Sequence, residues 1–148
     1  MGPGLALKSV IERRMSLTVF GFSQLLIDLE PGIGLVRGSP VLHGVTHTFV
    51  GATLIGLVAT VLGRPLCQRL MLPTYVISWP AAAAGAFIGT YSHILLDGTM
   101  HLDMRPLAPF SDANPLLGTA GIATTYIGCV VAGLVGWMIM RVRAERVR

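Results

Sequence analysis

The chain has few charged residues. Only 12% of its 148 residues are Asp, Glu, Lys or Arg, whereas apolar residues make up 53%. Ordinary soluble domains carry roughly 25% charged residues, so this composition argues against a water-soluble protein. A chain of this length is expected to form a single domain over residues 1–148.

Cysteine is also scarce. Cys67 and Cys129 form no CxxC pair, and Cys129 lies within a long apolar segment. A disulfide framework and a thiolate metal site are therefore both disfavoured.

Long segments without any charged residue are the main positive feature. They cover 42–63, 76–96 and 113–140. Each can supply the roughly 20 helical residues that cross a hydrocarbon core of about 30 Å. A shorter apolar stretch over 15–29 crosses only if its polar ends are included. The sequence therefore predicts an all-α integral membrane bundle of about four transmembrane helices, over about 8–30, 42–63, 76–101 and 115–142.

Basic residues flank the apolar segments. Before the first segment and after the last one stand Lys8, Arg13, Arg14, Arg141, Arg143, Arg146 and Arg148. The positive-inside rule predicts that both termini are cytoplasmic, including a basic tail over 141–148. These residues orient the protein, so we expect no nucleic-acid binding. The first apolar stretch lacks a small-residue cleavage site and is predicted to be a retained helix rather than a signal peptide.

With this topology, every histidine and most acidic residues gather near the external face. Imidazole and carboxylate are the ligands of divalent ions such as zinc, and ionisable groups beside membrane spans are costly unless they are paired or functional. We predict a divalent metal site, most simply zinc, with ligands among Asp28, His43, His47, His93, Asp97 and His101. The alternative is a polar clasp between helices without an ion.

The spacing of these residues supports a shared site. Residues four apart lie on one face of a helix, which predicts that His43 pairs with His47 and that His93 pairs with Asp97. The small residues of the 85–89 segment (GAFIG) allow membrane helices to approach closely. Close helices would bring both pairs within reach of one ion.

Two motifs resemble a known family. Residues 43–48 (HGVTHT) resemble an H-R-G-x-T-H-S motif, and residues 92–97 (SHILLD) resemble S-H-x-x-x-D. With the acidic segment 27–30 (IDLE) before them and Pro109-Phe110 after them, they resemble the YdjM-like bacterial inner-membrane metal-dependent hydrolases. That family is distantly similar to zinc-dependent phospholipase C and the single-strand nucleases. The resemblance implies phosphoester hydrolysis and metal ligation by Asp28, His47, His93 and Asp97, with His43 and Glu30 close behind.

The first functional hypothesis is a metal-dependent hydrolase of the bacterial cytoplasmic membrane. It would act at the external face on a phosphoester or a lipid-like ester, beside the lipid bilayer. Glu30 or Asp103 could accept a proton from the attacking water, and Arg37 or Arg105 could hold an anionic substrate.

Two other hypotheses belong to different classes. In one, the ion staples helix ends together in a non-catalytic structural subunit. In the other, the protein transports ions, which requires polar groups at several membrane depths. The apolar segments beyond the histidines contain no ionisable side chain apart from tyrosines and Cys129, so transport is the least supported.

Overall fold

The protein is described by a computed structural model, which covers residues 1–70 and 76–146. Within these ranges the chain is helical and contains no strand, as the sequence predicts. The α-helices are α1 (Gly2–Ile11), α2 (Leu17–Ile27), α3 (Leu29–Arg37), α4 (Phe49–Leu70), α5 (Trp79–Asp97) and α6 (Ile122–Arg146), with short 3-10 turns at Glu12–Arg14 and Val45–His47. Arg148 of the predicted basic tail lies outside the described residues.

The predicted first helix, 8–30, is three shorter helices. The chain turns after α1, and α2 starts afresh where the Ser16 hydroxyl accepts a hydrogen bond from the Val19 amide at 3.3 Å. The helical path is interrupted again at Asp28 (φ −80°, ψ −4°), which separates α2 from α3. Gly38 ends α3 in the left-handed conformation, at φ 67°, which glycine adopts without steric cost.

The second predicted helix, 42–63, begins later and ends later than expected. Residues before Thr48 form an irregular segment, and the Thr48 hydroxyl accepts a hydrogen bond from the Gly51 amide at 2.9 Å, in the manner of an N-cap. The helix then continues to Leu70. The third predicted helix, 76–101, corresponds to α5, which begins after the Ser78 cap and ends at Asp97. The fourth, 115–142, corresponds to α6, which begins only at Ile122.

Helices α2, α4 and α5 form the centre of the bundle. Helix α2 runs parallel to α5, because Ser16 bonds to Ala81 near the start of both and Gln24 bonds to His93 near their ends. Helix α4 runs antiparallel to α5, with the Thr53 hydroxyl 2.8 Å from that of Tyr91. Two clusters of buried apolar residues fill the space between these helices.

Glycines allow α2 to lie directly against α5. A Cβ atom at Gly85 would collide with the Ser16 carbonyl oxygen, and one at Gly89 would collide with the Ser23 hydroxyl. The 85–89 segment therefore does allow a close approach, but to α2 rather than, as the sequence predicted, to the helix after the first histidine pair. It draws α5 to the helix that carries Gln24 and leads into Asp28.

Helix α6 packs mainly on α1. The two helices run in the same direction, since Gly136 lies against Leu5 and Arg143 bonds to Glu12 at 2.9 Å. Helix α1 therefore starts beside the His93 end of the bundle, where Met1 lines a cavity. Met1 therefore lies toward the His93 end of the bundle, away from the end where Arg143 meets Glu12. The structure thus does not place the N-terminus at the end opposite the histidines, where the sequence predicted it, and which end faces the cytoplasm stays a prediction.

The surface fits a lipid environment. Among the described residues, three segments are long and apolar enough to cross a membrane: Leu17–Arg37, Phe49–Leu70 and Ile122–Arg146. Many large apolar side chains of these segments are exposed, as expected for a protein surrounded by lipid. Helix α5 is not among the three, although its 19 residues make it about 28 Å long, so a fourth crossing stays a prediction.

Candidate metal centre

Four side chains converge where α2, α4 and α5 meet. Asp28 lies at the break between α2 and α3, and His47 lies in the turn before α4. His93 and Asp97 lie one turn apart at the end of α5. The break ends α2 and the turn leads into α4, both beside the end of α5, so that side chains from three segments reach one point.

The ligand atoms lie at spacings that suit an ion. His93 Nε2 is 3.4 Å from His47 Nε2, 3.2 Å from Asp28 Oδ1 and 3.0 Å from Asp97 Oδ2. His47 Nε2 is 3.9 Å from Asp28 Oδ1 and 3.8 Å from Asp97 Oδ2. Tetrahedral ligands bound at about 2.0 Å are separated by about 3.3 Å. The nitrogens of His47 and His93 and a carboxylate oxygen of Asp28 therefore form a group that can hold a divalent ion. Asp97 Oδ2 lies close enough to both nitrogens to be a fourth ligand.

Burial differs sharply among the four. The His47 side chain is fully buried, His93 is 12% exposed and Asp97 is 19% exposed, whereas Asp28 is 54% exposed. Burial, together with the charges that His93 and His43 can carry, lowers the pKa of His47 to about 4. At neutral pH its ring is therefore neutral, which a metal ligand requires. Asp28 is the side from which a molecule can approach.

A glutamine fixes the orientation of the His93 ring. His93 Nδ1 lies 2.9 Å from Gln24 Oε1 and donates a hydrogen bond to that oxygen. Nε2 then faces the other three side chains, and in the neutral ring it carries the lone pair that an ion would bind. The amide nitrogen of Gln24 is buried and has no hydrogen-bond partner among the described residues. Outer hydrogen bonds of this kind orient histidine ligands in metal sites generally.

A threonine and a glutamate do the same for His47. The Thr46 hydroxyl donates a hydrogen bond to Glu30 Oε2 at 2.6 Å and can accept one from His47 Nδ1, 3.0 Å away. Glu30 also accepts hydrogen bonds from the amides of Thr46 and Val45, at 2.8 and 3.2 Å. Glu30 thus holds the turn that carries His47. Thr46 reaches the His47 ring because the two residues lie in a 3-10 turn rather than in a regular α-helix.

The sequence predicted that His43 and His47 share one face of a helix. That prediction is wrong, because α4 begins only at Phe49. The two rings nevertheless lie close, with centroids 4.8 Å apart. Asp103 holds His43 in place: its carboxylate accepts from His43 Nδ1 at 2.8 Å and from the Leu42 and His43 amides at 2.9 and 3.1 Å. Burial alone would raise the pKa of Asp103, but these hydrogen bonds bring it well below its usual range.

His101 lies past the end of α5, where its ring lies against that of His43, tilted by 31° and with centroids 4.2 Å apart. The chain thus brings together all six predicted ligands, since Asp97, His43 and His47 form one possible group and His43, His101 and Asp103 form another.

The two predicted substrate-binding arginines lie at the edges of this region. Arg105 lines an outer cavity with His43 and Asp103, and it forms an exposed ion pair with Asp112 at 3.0 Å. Arg37 ends α3 and lines a groove that begins at Asp28. Neither contacts the four converging ligands.

Sequence reasoning missed Gln24 and Thr46 as parts of the site. Gln24 offered a signal, because an amide side chain inside an apolar membrane segment needs a polar partner. Thr46 offered none, since threonines are common at helix starts.

The fold and the site define an all-helical membrane protein with a histidine and aspartate cluster able to hold a divalent ion. The chain belongs to the YdjM inner membrane protein family, whose model matches residues 5–147. Neither a curated protein nor a solved structure matches the chain significantly.

Proposed function

We propose that the protein is a metal-dependent hydrolase that acts on a phosphoester or lipid-like ester at the external face of the bacterial cytoplasmic membrane. The observation that carries the proposal is the convergence of Asp28, His47, His93 and Asp97, with each imidazole oriented by an outer hydrogen bond. Zinc is the simplest occupant, because imidazole and carboxylate make up its catalytic sites.

When bound, the ion would acidify water and polarise the scissile group. The chain's own residues prepare the site for this chemistry. Gln24 and Thr46 contact the Nδ1 atoms of the two histidines and so aim both Nε2 atoms inward. Glu30 and Asp103 accept several hydrogen bonds each, and the low pKa of Asp103 makes it a weak proton acceptor. We therefore assign positioning roles to both carboxylates in place of the proton transfer predicted from the sequence.

The surrounding cavities favour an amphipathic substrate. A cavity of about 270 Å³ adjoins His93 and Asp97 and is also lined by apolar side chains, among them Phe20, Leu96 and Met100. Apolar walls with a few polar groups are typical of ligand sites. On the other side of Asp28, the groove along α3 leads to Arg37, a guanidinium suited to phosphate.

The test is turnover by the protein purified in detergent. Metal-depleted and zinc-reloaded samples would be offered a panel of phosphodiesters and phospholipids, beside His93→Ala. Hydrolysis that returns with zinc only in the wild type supports the proposal. Absence of turnover across the panel, in protein that does bind zinc, contradicts it.

A second candidate is a non-catalytic subunit stapled by the ion. It is favoured by the number of converging protein ligands, because four protein ligands fill a tetrahedral structural site. In that case chelation would lower the melting temperature of the protein, and no substrate in the panel would be hydrolysed.

A further inference from the structure

Three polar side chains beside the centre have no role in holding the first ion. His43, His101 and Asp103 come from the irregular segments before α4 and after α5. The His43 side chain is 10% exposed and that of Asp103 is 30% exposed. Their ligand atoms lie within 4.8 Å of one another.

This cluster is prearranged in the manner of a ligand set. Asp103 bonds to the Leu42 and His43 amides and so fixes one segment to the other across 60 residues of chain. Its bond with His43 Nδ1, at 2.8 Å, leaves Nε2 of that ring with a lone pair. In metal sites, a histidine usually donates a hydrogen bond from one ring nitrogen to a carboxylate and binds the ion with the other nitrogen.

The cluster is continuous with the first centre. His43, His47 and Asp97 also form a group whose ligand atoms lie within 4.8 Å of one another. Asp97 has two carboxylate oxygens, of which Oδ2 faces His93 at 3.0 Å. Enzymes with two ions place them about 3.5–4 Å apart and commonly act on phosphoesters.

We propose that a second divalent ion binds next to the first, held by His43 and His101, with Asp97 shared between the two ions and Asp103 positioning His43. This proposal rests on the first ion of the proposed function but not on turnover. With two ions, the proposed hydrolase would belong to the two-metal class, whose sites stabilise both the attacking and the leaving oxygen of a phosphoester.

The test counts ions and measures their coupling without any substrate. Purified protein is depleted, reloaded with Mn²⁺ alone, and analysed for metal content and by electron paramagnetic resonance. The wild type should bind about two equivalents, as in other two-metal sites, and show a spectrum of exchange-coupled ions. His101→Gln should bind about half as much and show an uncoupled spectrum, while His43→Gln serves as a second variant.

Leu102→Ala is the matched control, because this side chain is 86% exposed and lies beside His101. It should retain both the full metal content and the coupled spectrum. One equivalent in the wild type, or full coupled binding in both histidine variants, would overturn the second site. Neither of these results affects the hydrolase proposal, which needs only the first ion. Conversely, a protein that binds two coupled ions but hydrolyses nothing would contradict the hydrolase proposal and leave the second site intact.

Discussion

At the scale of single residues, the outer hydrogen bonds decide how well the ligands are held. The Gln24→Leu variant removes the acceptor that fixes His93 Nδ1. Loss of such a partner typically weakens metal binding about 10- to 100-fold, and we expect that range in a zinc competition titration. Leu25→Ala is the control, because its neighbouring side chain is 69% exposed. Equal zinc affinity in Gln24→Leu and wild type would contradict this role.

Thr46 gives a second prediction at this scale. Thr46→Val keeps the shape of the side chain but loses the hydroxyl between Glu30 and His47, so zinc affinity should fall. Thr46→Ser retains the hydroxyl and should bind zinc nearly as well as the wild type. If both variants bind zinc equally, the Thr46 hydroxyl does not orient His47.

The gathering of the histidines and aspartates at one place was predictable from the sequence. Histidine and aspartate are expensive beside membrane spans, so their gathering points to a function. The positioning partners were not predictable, because a glutamine or threonine gains its role only from a contact across 69 residues or in an irregular turn.

At the scale of helices, the contact of α2 with α5 sets the geometry of the site. Gly89→Ala would push a methyl group against Ser23 and Gln24. Overpacking of this kind costs about 1–3 kcal/mol, and it would also move Gln24 away from His93. We expect a lower melting temperature together with weaker zinc binding.

Gly128→Ala in α6 is the matched control for that variant, since nothing lies within 4 Å of the Cβ position there. It should leave both properties unchanged. A Gly89→Ala protein with wild-type stability and zinc affinity would show that the close approach does not support the site.

Helix boundaries were less predictable than helix existence. Charge-free runs locate apolar segments but do not reveal where a chain turns within them. The caps at Ser16 and Thr48 and the break at Asp28 depend on local side-chain bonds and on packing. His47 does meet His93, as the sequence predicted, but the turn before α4 brings them together rather than the four-residue spacing of a helix.

At the scale of the whole molecule, we propose that the metal centre lies at the external face and that the basic ends of α1 and α6 lie in the cytoplasm. In a variant with both native cysteines replaced by serine, Gly38→Cys should react with an impermeant maleimide on intact cells. Arg146→Cys should react only after permeabilisation. The reverse pattern would place the centre on the cytoplasmic side.

The most direct test of the central claim is the metal content of the purified protein. The wild type should carry a divalent ion, His93→Ala and Asp97→Ala should lose most of it, and the neighbouring Ser92→Ala should retain it, because the Ser92 hydroxyl bonds only to the Gly89 carbonyl among the described residues. Unchanged metal content in both His93→Ala and Asp97→Ala would contradict the site.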